Sequence, residues 1–289
     1  MENNSFKILV TGSTGQLGHD VVRQGLERNL NVIGIGSKDL DITNEKRVNE
    51  YINQLKPDAI IHCAAYTAVD KAEDDRDTCW NVNVEGTRYL AKAAKNVAAK
   101  FIYISTDYVF DGEGSKPFKE QDTPNPIGYY GLTKYKAEEI VKQELDMWFI
   151  VRISWVFGIN GNNFIKTMLR LAETKSELNI VGDQYGSPTY TLDLSRLLID
   201  MIQTDKFGIY HVSNEGFCNW GEFAKEIFVQ NQNDIKVNLV TTEEYPTRAV
   251  RPKNSKMSKS KLLDSGFHPL PTWQDAIKRY LKELKQEVK

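Results

Sequence analysis

Tyr130 and Lys134 lie four residues apart in the run Tyr129-Tyr130-Gly131-Leu132-Thr133-Lys134. On a helix that spacing puts a phenol and an ammonium on one face, within reach of a common point. A cation beside a phenol favours the phenolate, so the Tyr130 pKa is expected to fall towards neutrality. Such a phenol is a proton donor for a carbonyl undergoing reduction. The chain has 13 tyrosines, and about one Tyr-x-x-x-Lys is expected by chance. The place of the pair among other elements therefore decides its meaning.

Those elements alternate. Lys7-Ile8-Leu9-Val10 reads as a strand, followed by a helix from Gln16 to about Asn29. Asn31 to Ile35 is a second strand, and Asn44 to Leu55 is an amphipathic helix that stops before Pro57. Ala59 to His62 is a third strand, Asp77 to Val97 a helix, and Phe101 to Ile104 a fourth strand. The Tyr130 helix runs to about Leu145, and Trp148 to Ile153 is a fifth strand. Strands alternating with helices predict an α/β fold with a Rossmann-type, doubly wound parallel sheet. After about Gly158 the pattern loosens. Helices are expected over Phe164 to Ala172, Leu192 to Ile202, Trp220 to Val229 and Trp273 to Leu284, with a strand at Ile209 to Val212. The loop-rich runs Asp183 to Tyr190 and Glu243 to Ser255 suggest a smaller lobe over the carboxyl edge of the sheet. A dinucleotide-binding domain over 1–157 and a mainly substrate-binding lobe over 158–289 are expected, interleaved.

Between the first strand and first helix stands Thr11-Gly12-Ser13-Thr14-Gly15-Gln16-Leu17-Gly18. Glycines there allow a tight turn and bring backbone N–H groups close to a pyrophosphate at the helix N-terminus. Gly12 to Gly18 are thus candidate cofactor contacts. The second strand ends Gly36-Ser37-Lys38-Asp39. Ser37 and Lys38 suit a ribose 2′-phosphate, which points to NADPH with NADH tolerated; Asp39 or Asp41 could serve the adenine side. Ser105-Thr106-Asp107 follows the fourth strand, at the end that faces the ligand crevice of such a sheet. The Thr106 hydroxyl there can hydrogen-bond a substrate carbonyl and share its proton with Tyr130. Glycine turn, hydroxyl and Tyr–Lys helix come in the right order of a βαβ chain, which turns the pair into a hydride-transfer site.

Composition bounds the alternatives. Hydrophobic content of 40%, charged content of 26% and a net charge of −2 are those of a globular domain without a nucleic-acid-binding basic block. No apolar run reaches membrane-spanning length. The start Met1-Glu2-Asn3-Asn4-Ser5 lacks the regions of a signal peptide, so a cytoplasmic location is expected. Cys63, Cys79 and Cys218, and His19, His62, His211 and His268, show no metal-ligand spacing, and no metal is predicted.

Beyond these motifs, Thr67-Ala68-Val69-Asp70-Lys71-Ala72-Glu73, Ser105-Thr106-Asp107-Tyr108-Val109-Phe110-Asp111-Gly112, Ser154-Trp155-Val156-Phe157-Gly158, Asp183 to Thr189 and Arg251-Pro252 stand out. With them the chain resembles the extended short-chain dehydrogenase/reductases, and within these the dTDP-4-dehydrorhamnose reductase family, from about Lys7 to the last helix. The resemblance implies an NAD(P)H-dependent reduction of the C4 keto group of a nucleotide sugar. It implies Thr106, Tyr130 and Lys134 as the catalytic triad. It places Asp41 and Ile42 near adenine, and Ala64, Ala65 and Tyr66 along the cofactor, although the family often has His where Tyr66 stands. It implies Asp107 and Trp155 as contacts of the deoxy-sugar, and Asn163 and Arg251 towards the nucleotide-sugar end. Some relatives dimerise through a magnesium ion near an acid of the first helix. Asp20 stands near that place, magnesium is not predicted, and monomer and homodimer both stay open. Elimination enzymes of this fold need an acid where this chain has Tyr108, and the Ser105 to Phe110 signature points away from a 4-epimerase. Another nucleotide-sugar reductase or epimerase, or a non-catalytic subunit resembling methionine adenosyltransferase β, is the alternative.

Overall fold

A computed structural model describes residues 6–287; residues 1–5, read above for a leader, lie outside them. The chain opens with β1 (Lys7–Thr11), α1 (Gln16–Glu27), β2 (Asn31–Ile35), α2 (Glu45–Leu55) and β3 (Ala59–His62). It continues through α3 (Arg76–Trp80), α4 (Gly86–Asn96), β4 (Lys100–Thr106), α5 (Tyr129–Glu144) and β5 (Trp148–Ile153). The remainder forms β6 (Val156–Phe157), α6 (Phe164–Ala172), β7 (Glu177–Val181), β8 (Tyr185–Gly186), β9 (Thr189–Tyr190), α7 (Thr191–Ile202), β10 (Gly208–His211), β11 (Asn214–Glu215) and β12 (Cys218–Asn219). It closes with α8 (Trp220–Asn231), β13 (Lys236–Val240), α9 (Ser260–Asp264), β14 (Leu270–Thr272) and α10 (Trp273–Glu287).

Six strands pair in parallel in the order β10-β5-β4-β3-β1-β2. Both faces of this sheet are covered, which is why its strands read as continuous apolar runs. Alternate side chains go to opposite faces. Ile8, Val10, Ile102, Ile104 and Val151 pack with Leu17 and Val21 of α1 and Leu194, Leu198 and Ile202 of α7. Leu9, Ile60, Phe101 and Ile150 pack with Val48 and Ile52 of α2, Leu90 and Ala94 of α4, and Ala137 and Val141 of α5. Chain order reverses between β1 and β3, so a crevice opens there at the carboxyl ends of the strands. A third core, including Phe157, Ile165, Leu178, Phe223, Trp273 and Ile277, belongs to the smaller lobe. This is the doubly wound α/β fold with an added lobe that the alternation predicts. Residues 191–211 return to the large sheet and place α7 and β10 on it.

Two departures from the expected elements bear on the site. The helix expected over Asp77 to Val97 is broken by a π-helical turn at Asn81–Glu85, between α3 and α4. β7 and β13, not anticipated, pair in parallel across more than fifty residues of chain, Leu178 opposite Val237 and Ile180 opposite Leu239.

Below the carboxyl end of β4 lies a buried ion pair. Arg152 of β5 donates to Glu138 of α5 from Nε at 2.8 Å and from a terminal nitrogen at 2.6 Å, and Ser105 donates to the same carboxylate at 2.6 Å. Both charged side chains are at most 1% exposed. Glu138→Gln is expected to lower unfolding free energy by about 3–5 kcal/mol, because it leaves the Arg152 charge buried and uncompensated. Denaturant melts measure this; a change below about 1 kcal/mol would remove the pair from the account of how α5 is held on β4 and β5.

Candidate active site

The crevice at the sheet edge is a cleft of about 800 Å³ that runs from the glycine turn, past Thr106 and Tyr130, to Trp155 and Trp220. Its inner end is made of backbone. Gly12 has φ +70°, and a Cβ there would lie 2.6 Å from the Ala64 nitrogen; one at Gly18 would lie 2.2 Å from the Gly12 carbonyl oxygen. α1 starts at Gln16 with Gly15 as its cap, no side chain capping its N–H groups and no acid in its first turn. Open N–H groups, the positive end of the helix dipole and no intruding carboxylate fit a pyrophosphate. Gly12→Ala is expected to weaken dinucleotide binding at least about tenfold, since the methyl group meets backbone and the φ favours glycine. Gly114, at φ +74° with nothing near its added Cβ, supplies the control: Gly114→Ala carries the dihedral strain without the clash. Fluorescence titration with NADPH compares them, and equal affinities in both would remove the turn from the binding site.

The next wall is the segment after β3. His62 is buried between Thr11 Oγ1 at 2.7 Å and Thr87 Oγ1 at 3.1 Å. Thr87 gives its own proton to the Asn83 carbonyl, so His62 donates from Nε2 and accepts from Thr11 at Nδ1. Burial, with the Lys134 charge adding to it, holds the imidazole pKa down at about 3 and hence neutral. Thr11 Oγ1 then accepts the Ala64 N–H at 3.3 Å. Asn83, in the π-helical turn, accepts the Tyr66 N–H at 2.8 Å and donates to the Tyr66 carbonyl at 3.2 Å and to Thr133 of α5 at 3.0 Å. It thereby ties the cofactor-side loop to the helix bearing Tyr130. Sequence reading missed Asn83 because one short π-turn barely disturbs the apolar spacing of the helix around it; the Asn83-Val84-Glu85-Gly86-Thr87 run was the available signal.

Thr106 ends β4 and caps a 3₁₀ turn, accepting the Tyr108 N–H at 3.2 Å and donating to Asp107 at 3.0 Å. Asp107 is buried and lines the cleft. Burial pushes its carboxyl up to about 6, against the hydrogen bond from Thr106. Tyr130 stands in the first turn of α5, and Lys134 one turn further on; both line the cleft with Thr106. The Lys134 ammonium lies 4.2 Å from the centre of the Tyr103 ring. The expected fall of the Tyr130 pKa is not what this arrangement produces. Loss of solvent pushes the phenol above its ordinary value, the Asp107 charge adds to the rise, and a hydrogen bond with Thr106 opposes it. Lys134 is drawn down from 10.5 to about 7, by burial first, with Glu138 holding it up. Both groups have left water, and burial is the largest cause of each shift.

At the outer end Trp155 has φ +47°, a left-handed conformation rare for a bulky residue. Its ring stacks on Trp220 at 3.7 Å, and a Cβ on Gly186 would press within 2.8 Å of it. A non-glycine backbone held in this region marks a site the surrounding structure over-determines. Trp220, the first residue of α8, was read only as a helix start; nothing local announces its stacking partner. Arg251 also lines the cleft, donating to the Tyr108 hydroxyl at 2.9 Å and to Asp70 at 2.6 Å.

Of the other expected contacts, Gly12, Thr14, Gly15, Gln16, Leu17, Gly18, Ser37, Asp41, Ile42, Ala64 and Ala65 line the cleft. Four do not. Ser13 spends its N–H on the Ile35 carbonyl at 3.1 Å. Lys38 is exposed outside the cleft. The Tyr66 hydroxyl turns to Asp75 at 3.2 Å. Asn163 caps α6 and donates to Gln16, the Gly158 carbonyl and the Tyr280 hydroxyl, so its amide is committed to joining the lobes. Asp39 accepts the Gly36 N–H at 2.8 Å, which closes the turn after β2. Asp20 is buried, accepting from Thr191 and pairing with Arg23 at 2.9 Å. Among the described residues no group of three or more His, Cys, Asp or Glu is placed to hold a metal ion, and no helix is long and apolar enough to cross a membrane.

The family model described as the RmlD substrate binding domain matches residues 6–286. The chain is 40% identical to the spore coat polysaccharide biosynthesis protein SpsK of Bacillus subtilis (strain 168), over 96% of this chain and 97% of that one. It is 37% identical to the dTDP-4-dehydrorhamnose reductase of Escherichia coli (strain K12), over 96% and 98%. The solved dTDP-4-dehydrorhamnose reductase of Bacillus anthracis strain Ames, in complex with NADP, is similar with a TM-score of 0.94 and 42% identity, over 96% of this chain and 99% of that chain. With the glycine turn, the Thr106–Tyr130–Lys134 cleft and this full-length match together, the chain belongs to the RmlD substrate-binding-domain family, with dTDP-4-dehydrorhamnose reductases among its relatives.

Proposed function

We infer that this protein is an NADPH-dependent oxidoreductase that reduces the C4 keto group of dTDP-4-dehydro-L-rhamnose to give dTDP-L-rhamnose, the last step in making that nucleotide sugar. The observation that carries the reading is one cleft whose inner end is a backbone cradle for a pyrophosphate and whose middle holds Thr106, Tyr130 and Lys134. Relatives named for this reaction, one of them solved with NADP, support the substrate and the cofactor. A nicotinamide cofactor, when bound in the cleft, would supply the hydride that the carbonyl carbon takes up. Gly12, Gly15 and the first turn of α1 hold the pyrophosphate; Ser37, open at the cleft rim, suits a 2′-phosphate, with NADH tolerated.

Tyr130 carries its proton at neutral pH, since its pKa is raised, and gives it to the oxygen as charge develops there. Thr106 places that oxygen through its hydroxyl. Lys134 would hold the cofactor's ribose and, when charged, stabilises the phenolate left behind. Asp107 accepts from a sugar hydroxyl, and Trp155, backed by Trp220, presents an aromatic face to the deoxy-sugar. The lobe over 158–289 mainly holds the nucleotide sugar, with Arg251 at the mouth of the cleft. A spectrophotometric assay with dTDP-4-dehydrorhamnose, NADPH and NADH tests this, with a second keto-sugar nucleotide as control. Turnover with the first substrate, faster with NADPH, is expected. NADPH binding without turnover would overturn the enzyme reading in favour of a non-catalytic subunit.

A further inference from the structure

The run Thr67 to Glu73 stands out in the sequence, yet the reaction above gives Asp70 and Glu73 no part. Asp70 caps the start of a 3₁₀ helix at Lys71–Glu73, and Glu73 ends it. Glu73 accepts the Tyr129 N–H at 2.8 Å, at the start of the helix that carries Tyr130. Asp70 faces the other way. One oxygen accepts the Ala249 N–H at 3.0 Å and the other accepts from Arg251 at 2.6 Å. Arg251 continues to the Tyr108 hydroxyl at 2.9 Å. Tyr108 meets Tyr130 edge to face, ring centres 5.8 Å apart. Its main chain has no room to retreat, because a Cβ on Gly131 would stand 2.1 Å from the Tyr108 carbonyl oxygen.

We propose that Asp70 is a positioning residue for Tyr130, acting through Arg251 and Tyr108. The pair it forms is a poor device for stability: the side chains are 46% and 25% exposed, and ion pairs so placed contribute little to folding. Its geometric consequence is larger. Arg251 reaches Tyr108 along a flexible side chain, and a second fixed acceptor selects one of its many rotamers. With that rotamer held, the Tyr108 hydroxyl is anchored and its ring edge fixes the Tyr130 ring. Asp70 does not line the cleft, so its effect reaches the reaction through this chain of contacts and not through the substrate. The same carboxylate also holds the 248–251 strap through the Ala249 N–H and Arg251.

The inference rests on the reductase reading, so its test has one arm that needs turnover and one that does not. In the first, Asp70→Ala is expected to lower kcat about tenfold to a hundredfold, the scale of a displaced proton donor. KM for the keto-sugar nucleotide should change less than about threefold, since no substrate contact is lost. Asp70→Glu, which can still reach Arg251, restores most of kcat. Asp74→Ala breaks the exposed Arg248–Asp74 pair on the same strap without touching Tyr108, and should stay within about twofold of the parent. A raised KM with unchanged kcat would make Arg251 a substrate anchor and overturn the proposal. In the second arm, tyrosine isotope-labelled at the phenol carbon gives one resonance per ring, with Tyr108 and Tyr130 assigned from their Phe variants. Both resonances are expected to move in Asp70→Ala and to stay put in Asp74→Ala. A Tyr130 resonance unmoved in Asp70→Ala overturns the coupling, whatever the turnover assay says of the substrate.

Discussion

Tyr130→Phe is expected to lower kcat at least about a hundredfold, the scale of a lost general acid, while leaving the fold and NADPH affinity nearly intact. The substitution removes one oxygen and keeps the ring, so the edge-to-face contact with Tyr108 survives. Thr106 keeps its own partners, the Tyr108 N–H and Asp107. What disappears is the hydroxyl of the phenol that lines the cleft with Thr106 and Lys134. Because burial raises the Tyr130 pKa, the phenol holds its proton throughout the neutral range. Its titration should therefore not appear in the reduction rate between about pH 6 and 9. Steady-state kinetics of the variant beside a thermal melt checks both halves. Parent-like kcat in a folded Tyr130→Phe protein would remove Tyr130 from the role of proton donor.

Lys134→Met should show two opposed effects: a large loss of kcat/KM for NADPH and a gain in stability at neutral pH. The loss, about a hundredfold or more, follows from removing the group assigned to the ribose and to the phenolate. The gain follows from burial. Lys134 is 3% exposed, and its pKa falls from 10.5 to about 7. Below pH 7 the ammonium is charged in both the folded and unfolded chain, and the folded state bears the full cost of its desolvation. Between about 7 and 10.5 the unfolded chain keeps the proton and the folded chain releases it, so parent stability rises with pH across that window. Methionine has no charge to bury. The variant should exceed the parent by about 2–4 kcal/mol at pH 6, an amount that shrinks as pH rises towards 10.

Asp107 contributes the opposite trend at lower pH. Its folded pKa of about 6 exceeds the ordinary 3.8, so ionising it lowers stability as pH rises from about 4 to 6. Comparing denaturant midpoints of parent and Lys134→Met at several pH values separates the two windows. A difference that does not change from pH 6 to 10 would mean that Lys134 is not desolvated. In the same series, kcat/KM for NADPH reports the free enzyme. It should fall as pH passes about 7 in the parent, and that inflection should vanish in Lys134→Met.

What could be read from the chain follows the range of the interactions involved. The glycine turn, the alternation of strands and helices, and the i, i+4 placement of Tyr130 and Lys134 are short-range features, set by dihedral preferences and period. Thr106 stands out because it ends a strand whose carboxyl edge has a known orientation in a parallel sheet. The same local reasoning passed over the π-turn at Asn81–Glu85, since one extra residue per turn barely disturbs apolar spacing over five residues. It also passed over two-residue strands such as β8 and β12, which exist only because a partner is brought beside them.

Side-chain direction is a further limit. Tyr66 and Asn163 occupy the expected places along the chain, but their polar atoms are taken by Asp75 in one case and by Gln16, Gly158 and Tyr280 in the other. Asp70 and Arg251 are separated by 181 residues yet share a hydrogen bond, and Trp155 meets Trp220 across a shorter but still long-range stretch of chain. No local pattern encodes such meetings.

By itself, then, the sequence determined the doubly wound fold and pointed to the glycine turn and to Thr106, Tyr130 and Lys134, which the tertiary structure brings to one cleft. Tertiary structure decided their electrostatic state. The sequence pairs an ammonium with a phenol and predicts a lowered tyrosine pKa, because charge attraction follows from spacing alone. Desolvation depends on every element packed around the pair, and here β4, α5 and the segment after β3 exclude enough water that Tyr130 rises and Lys134 falls.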